Sequence, residues 1–330
     1  MARRDDWIVE LSNADVAELE RAAEPHAAKL ASPPTMATFA LPTLAPRLAS
    51  LRHELLHGRG FFLVRGLPVR RYSRAEAAAI FLGFGAHIGN PRSQNAKGHV
   101  LGHVFDLGLP GADPAVRIYQ THERQTFHTD SSDVVGLLCL NEAKRGGDSM
   151  LVSALAIYDV MRRERPELLE RLLLPMPHDR RGEIPAGMKP WFDIPVFSHF
   201  EGLLTVFYQR QYFDSAQRFA EARRLTEEDV AALDRFDAIA NDTRLVLNMR
   251  LAPGDMQFVH NHNLLHDRTA FEDWPEPDRK RHLLRLWLAV PGARPLPPAF
   301  AARYGSLEVG NRGGIVTPAT TALRVALEPE

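Results

Sequence analysis

Apolar positions in the first ninety residues recur at helical spacing. Ser12, Asn13 or Asp15 can cap a segment carrying Val16, Leu19 and Ala22, and a second helix is predicted over Leu44 to Leu56. Ser73 followed by Glu76 has the capping-box spacing and opens a third helix that runs to Gly85. Between them, Phe61-Phe62-Leu63-Val64, closed by Arg65-Gly66-Leu67-Pro68, reads as a buried strand and turn. From about residue 98 short strand-like runs dominate: His99 to Phe105, Val134 to Leu140, Met150 to Ser153, Pro195 to Ser198, Leu203 to Tyr208, Leu245 to Arg250, Asp255 to His260 and Leu283 to Val290. Helices predicted over Leu155 to Glu164 and Thr226 to Ile239 interrupt them. Many short strands with irregular connections predict a sandwich or jelly roll with helices packed outside it. We read 1–330 as one domain, with a helical part over about 1–90 and the jelly-roll core over about 99–290. The Pro-rich piece Arg294 to Pro298 and the Gly-rich piece Gly310 to Gly314 read as surface loops or a lid.

Composition narrows the chemistry. Hydrophobic residues make up 45% and charged residues 25% of the chain, as expected of a globular protein that buries a sizeable core. The formal net charge of −1 provides no field to attract nucleic acid or an anionic membrane, so a small-molecule partner is expected. No run reaches transmembrane length, and MARRDDWIVELS has no apolar stretch of the kind a secretory leader needs, which predicts a cytoplasmic protein. Cys139 is the only cysteine, which excludes an intramolecular disulfide and a cysteine-based zinc site. A metal would have to use His, Asp or Glu.

His128-Thr129-Asp130 is the best metal signal. Residues i and i+2 of an extended strand point the same way and can offer an imidazole and a carboxylate to one ion. Two histidines and one carboxylate leave three positions open on non-haem iron. His260, His262 and His266 all lie in the one histidine-rich segment downstream, and spacing does not choose among them. Read as a strand, 281–288 places Arg281, Leu283, Arg285 and Trp287 on one face. Two arginines on the inward face of an apolar strand need anions, whether from Asp/Glu or from a ligand; on an edge strand they would simply be solvated. Gln94, Asn95 and His99 read as a polar surface loop or as the mouth of a site.

Several motifs in order make the chain resemble the taurine dioxygenase (TauD/TfdA) family of iron(II)/2-oxoglutarate oxygenases. They are residues 60–66, Phe127-His128-Thr129-Asp130, Gly146-Gly147-Asp148-Ser149, Pro253-Gly254-Asp255, and Leu265-His266 with Arg268-Thr269-Ala270-Phe271, followed by Arg281-x-x-x-Arg285. The resemblance implies a double-stranded β-helix, a jelly roll with flanking helices. It selects His266 as the third iron ligand beside His128 and Asp130. It implies that Arg285 pairs with the distal carboxylate of 2-oxoglutarate, assisted by Ser149 where the family usually has threonine. O2 is then the other co-substrate, and a C–H bond of a small, anionic substrate is hydroxylated with release of succinate and CO2. Arg281, Arg124 and His262 are the candidates for substrate contact, and a homo-oligomer is compatible with the family. A zinc-type hydrolase on the same ligands would not explain Arg285 with Gly-Gly-Asp-Ser. A silent jelly-roll binding protein would be expected to have lost a ligand.

Overall fold

The computed structural model describes residues 4–110 and 116–329; the first three residues of the stretch read above for a leader lie outside them. Two sheets face each other, and each is covered on its outer side by helices. The major sheet has seven strands and runs Ile8–Glu10, Phe61–Arg65, Met256–His260, Val134–Asn141, His282–Ala289, Asn90–Pro91, with Leu101–Phe105 also paired to His282–Ala289. The minor sheet has four: Leu247–Met249, Ser149–Ser153, Leu264–Arg268 and Gln125–His128. Its pairings and those of the major sheet are antiparallel except Ile8–Glu10 on Phe61–Arg65, the pattern of a jelly roll.

Alternation along each strand sorts side chains between layers. In His282–Ala289 the residues Leu284, Leu286 and Leu288 join Phe62, Val64 and Phe258 against the helices Asn13–Ala27, Ala45–His57 and Arg74–Ile88. Leu283 and Trp287 face the other way, into the space between the sheets, with Leu63, Val135, Val259, Leu151 and Leu264. Helix Arg74–Ile88 lies so close to the sheet at Gly85 that a Cβ there would sit 2.6 Å from Leu286 Cδ1. The outer face of the minor sheet presents Phe127, Val152 and Leu265 to Ala154–Glu164, Pro166–Leu172 and Glu227–Ala240. Burying such side chains contributes about 1.5–3 kcal/mol each before entropy is counted.

Helix starts follow their caps. Ser12, Ser73 and Thr226 each accept from the backbone N–H three residues on, and Asp15, Glu76 and Asp229 return the bond. Each cap stabilises its helix by about 1 kcal/mol. The sequence reading misses Leu264–Arg268, whose five residues are all buried. Three polar residues in five, His266, Asp267 and Arg268, hide its strand character from periodicity. The Gly310–Gly314 segment departs further from expectation. It is not a surface loop: Arg312 is fully buried, and Gly313 and Gly314, at φ 75° and 81°, tuck against Tyr304, Ser131 and Ser93.

Candidate metal centre

His128 ends the Gln125–His128 strand, and His266 sits mid-strand in Leu264–Arg268; the two are direct cross-strand partners with ring centroids 4.1 Å apart. Leu264 shares the His266 face and packs between the sheets, so both imidazoles point inward. After His128 the chain leaves the sheet. Thr129 N–H donates to the Tyr208 carbonyl at 2.9 Å, and Asp130 N–H donates to Asn261 Oδ1 at 3.1 Å, which swings the Asp130 carboxylate toward the histidines. One ligand atom from each of His128, Asp130 and His266 lies within 4.8 Å of the others, the one such group among the described residues.

All three side chains are buried, and their polar atoms are incompletely used. Asp130 Oδ2 has no hydrogen-bond partner; His266 Nε2 is 3.6 Å away and Arg285 Nη1 3.8 Å. Burial alone would push this carboxyl up, but the Arg285 charge and the His266 imidazole outweigh it and hold it well below the usual carboxylate range. The His128 pKa falls to about 3, first because burial disfavours the cation and then because His266 stands beside it. Its Nδ1 is anchored on the Thr126 carbonyl at 2.8 Å, which leaves Nε2 facing the site as the acceptor, met here by the Gln125 side-chain amide at 2.9 Å. A buried carboxylate with an orphaned oxygen beside two imidazoles is the donor set a divalent cation satisfies, and two histidines with one carboxylate on three corners suit non-haem iron(II).

Two cavities adjoin this triad. The first is lined by His128, His266, Ser149 and Arg281, with Val104, Leu137, Leu251 and Leu283 between polar groups, and Arg285 also reaches it. Arg281 is buried, donates from Nη2 to the Gly147 carbonyl at 3.3 Å, and keeps Nη1 without a partner. Burial draws its pKa down to about 10, so the guanidinium stays charged at neutral pH, and among the described residues no carboxylate pairs with it within 4.0 Å. Gly147, at φ 72°, is what lets it lie there: a Cβ would stand 2.7 Å from Arg281 Nε. Ser149 pairs with Arg268 and donates to Gln257 Oε1 at 3.1 Å. Since Leu151 is the partner of His266 on the same strand, Ser149 lies about 7 Å along the strand from the metal rung.

The second cavity opens on the other side of Asp130, with Arg285 and Trp287 shared between strand and pocket and Arg117, Tyr119, Arg181, Glu183 and Arg303 around it. Gln94, read above as part of a surface loop or mouth, is instead buried behind Arg285. Its Oε1 accepts from Arg285 Nε at 2.7 Å, and its amide donates to the Arg285 and Val100 carbonyls.

Two expected substrate contacts are placed elsewhere. Arg124 forms an ion pair at 2.6 Å with buried Asp267, which points away from the His266 face, and also donates to Asn241. His262 hydrogen-bonds Asp133 at 3.0 Å inside a closed network with Arg312 and lines neither cavity beside the triad. His260 is fully buried with both ring nitrogens unpartnered, and it pairs in the major sheet with Val134 rather than meeting His128. Arg117, Arg181 and Arg303 were missed altogether. They come from three distant segments with no periodicity to flag them; the only local hint is the Arg180-Arg181-Gly182 turn.

A model of the family described as "Taurine catabolism dioxygenase TauD, TfdA family" matches residues 24–287. Among characterised relatives, the FR-33289 synthase of Streptomyces rubellomurinus is 34% identical over 262 residues, covering 78% of this chain and 77% of that protein. The taurine hydroxylase-like protein SAT17 of Stachybotrys chartarum is 33% identical over 294 residues, covering 86% and 75%. Among solved structures, an asparagine oxygenase bound to Fe(II), 3-hydroxyasparagine and succinate superposes with a TM-score of 0.65 at 20% identity, over 86% of this chain and 93% of that one.

Proposed function

Since this chain belongs to the TauD, TfdA family of taurine catabolism dioxygenases, we propose that His128, Asp130 and His266 hold its iron(II) and that Arg281, with Ser149, holds the far carboxylate of 2-oxoglutarate. The protein is a non-haem iron, 2-oxoglutarate-dependent dioxygenase that hydroxylates a small-molecule substrate. Bound together, iron(II) and 2-oxoglutarate supply the oxidation, with one oxygen atom of O2 leaving in succinate as CO2 is released and the other entering the substrate.

The observation that carries the assignment is the cluster of three ligand atoms within 4.8 Å, with the Asp130 oxygen orphaned and with His128 and His266 lining the cavity that also holds Arg281, whose Nη1 has no partner. That cavity's chemistry fits 2-oxoglutarate: imidazoles where a chelating end would sit, apolar Leu137, Leu251 and Leu283 for two methylenes, and Ser149 with Arg281 for a carboxylate. Arg285 was the arginine expected from the sequence to take this carboxylate, with Arg281 toward substrate. Distances favour the reverse. Arg285 Nη1 is 3.8 Å from a metal-ligand oxygen, too near the ion for the far end of a five-carbon diacid, whereas Arg281 lies four residues earlier, just before the strand that carries Arg285 and up to about 13 Å along the chain. The chain's own contribution is positional. Gln94 fixes Arg285 beside Asp130, Thr126 fixes the His128 ring, and the inter-sheet core excludes water from the coenzyme cavity.

Succinate formation from 2-oxoglutarate without added substrate tests this reading. Slow turnover requiring iron(II) and O2, abolished in His128→Ala, is expected; turnover that persists with zinc or in that variant would refute it.

A further inference from the structure

Resting on the dioxygenase reading above, we propose that Arg181 and Arg303, with Arg285, form the recognition site for a doubly charged tetrahedral head group, a phosphonate or phosphate monoester, on the substrate. Charge balance in the second cavity leads there. Arg117 is already neutralised: it donates to Glu183 at 2.6 Å and to the Tyr212 hydroxyl at 2.7 Å. Arg181 and Arg303 have no carboxylate within 4.0 Å among the described residues, and Arg285 has only Asp130 at 3.8 Å, which is also the candidate iron ligand.

Each free guanidinium is nevertheless held in place. Arg303 is buried and donates from Nε to Ser131 Oγ at 2.8 Å, one residue from Asp130. Arg181 sits at φ 54°, a left-handed conformation rarely taken by a residue with a side chain, pinned by its N–H donating to Asp179 Oδ1 at 2.7 Å. Its Nη2 donates to the Val116 carbonyl at 3.0 Å, and its Nε is buried with no partner. The Asp179 carboxylate forms its close ion pair with Arg218, at 3.1 Å, rather than with the Arg181 guanidinium. Trp287 Nε1, also buried and unpartnered, belongs to the same cavity wall.

Beyond Glu183, which Arg117 already engages, and Asp130, the candidate iron ligand, the guanidiniums lining this cavity have no carboxylate of their own to offset their desolvation, and an anion shared among them would supply it. A carboxylate has two oxygens and one charge and is satisfied by one bidentate arginine. Three arginines and an indole N–H, arriving from three segments of the chain, suit an acceptor with three outward oxygens and two charges. Anchored there, beside Asp130, the head group would leave the adjoining carbon chain to present its C–H bonds to the iron side of the pocket.

The test is calorimetric titration of the oxygen-free, iron(II)- and 2-oxoglutarate-loaded protein at pH 8 with propylphosphonate, propyl phosphate, propanesulfonate and butanoate. Both dianions are expected to bind at least ~10-fold more tightly than either monoanion. The ratio between the two dianions tells whether the bridging ester oxygen is accommodated. Arg181→Gly, which suits the backbone angle, and Arg303→Gln, which can still reach Ser131, should each weaken dianion binding at least ~10-fold while the 2-oxoglutarate absorption band of the same samples is unchanged. Equal binding of all four probes, or variants that bind the dianions as the parent does, would overturn the proposal. A missing band with dianion selectivity intact would instead remove the dioxygenase reading and leave the anion site standing.

Discussion

Replacing Arg281 with methionine separates the roles of Arg281, just before the His282–Ala289 strand, and Arg285 within it. The side chain is buried, its one hydrogen-bond acceptor is the Gly147 carbonyl, and Nη1 has none, so the guanidinium contributes little to the empty fold. Its pKa, drawn down to about 10 by burial, marks a charge held at a desolvation cost. Methionine fills similar volume without that cost, and unfolding stability should be unchanged or higher by about 1 kcal/mol. The lost interaction with 2-oxoglutarate is a charge-assisted pair of about 2–3 kcal/mol, roughly 30- to 150-fold in Kd. Anaerobic titration of the iron(II) protein with 2-oxoglutarate measures it. Arg285→Met should leave that Kd within about 3-fold and cut turnover instead, because it alters the wall beside Asp130. An Arg281→Met protein that binds 2-oxoglutarate normally, or an Arg285→Met protein that loses it, would refute the assignment.

Other outcomes follow from the same contacts. His266→Ala should lose iron(II), measured by metal analysis after dialysis, whereas His260→Ala should keep it, since His260 lies in the major sheet away from His128. Asp133 accepts from His262 Nε2, Arg312 Nε and the Val290 N–H, so Asp133→Asn, which leaves Arg312 buried beside a neutral group, should cost about 3–5 kcal/mol in urea unfolding at neutral pH. Burial opposes the Asp133 charge, but His262 and Arg312 outweigh it and depress its pKa; its stabilisation is therefore complete above the unfolded value near ~4 and is lost as pH falls through the lower folded value. The stability gap between parent and Asp133→Asn should accordingly be flat above pH ~5 and shrink below pH ~4. Gly254→Ala should destabilise by roughly 2 kcal/mol or more in the same assay, since φ is 93° and a Cβ would stand 2.0 Å from the Leu67 carbonyl oxygen.

What could be read from the chain alone was whatever is local. The 281–288 alternation placed Leu284 and Leu286 against the helices and Arg281 and Arg285 between the sheets, and the Ser73–Glu76 spacing marked a helix start that the fold uses. Leu264–Arg268 was missed because a strand buried on both faces loses the alternation that betrays it, and here its polar residues have partners on each face: Asp267 with Arg124 outward, Arg268 with the Thr121 and Glu123 carbonyls. Gly310–Gly314 looked exposed because glycine is common in loops, yet its positive φ angles are what thread Arg312 onto Asp133. Gln94 meets Arg285 across 191 residues and Arg303 meets Ser131 across 172, while Arg181 joins them only by lining the same cavity, and no window of sequence contains such relations.

The most direct test of the iron and 2-oxoglutarate assignment is the anaerobic visible spectrum of the protein titrated with iron(II) and then 2-oxoglutarate. A weak charge-transfer band that needs both components, and that is absent in Asp130→Ala, is the result the account predicts. Iron bound with no band at saturating 2-oxoglutarate, or a full band in Asp130→Ala, would contradict it.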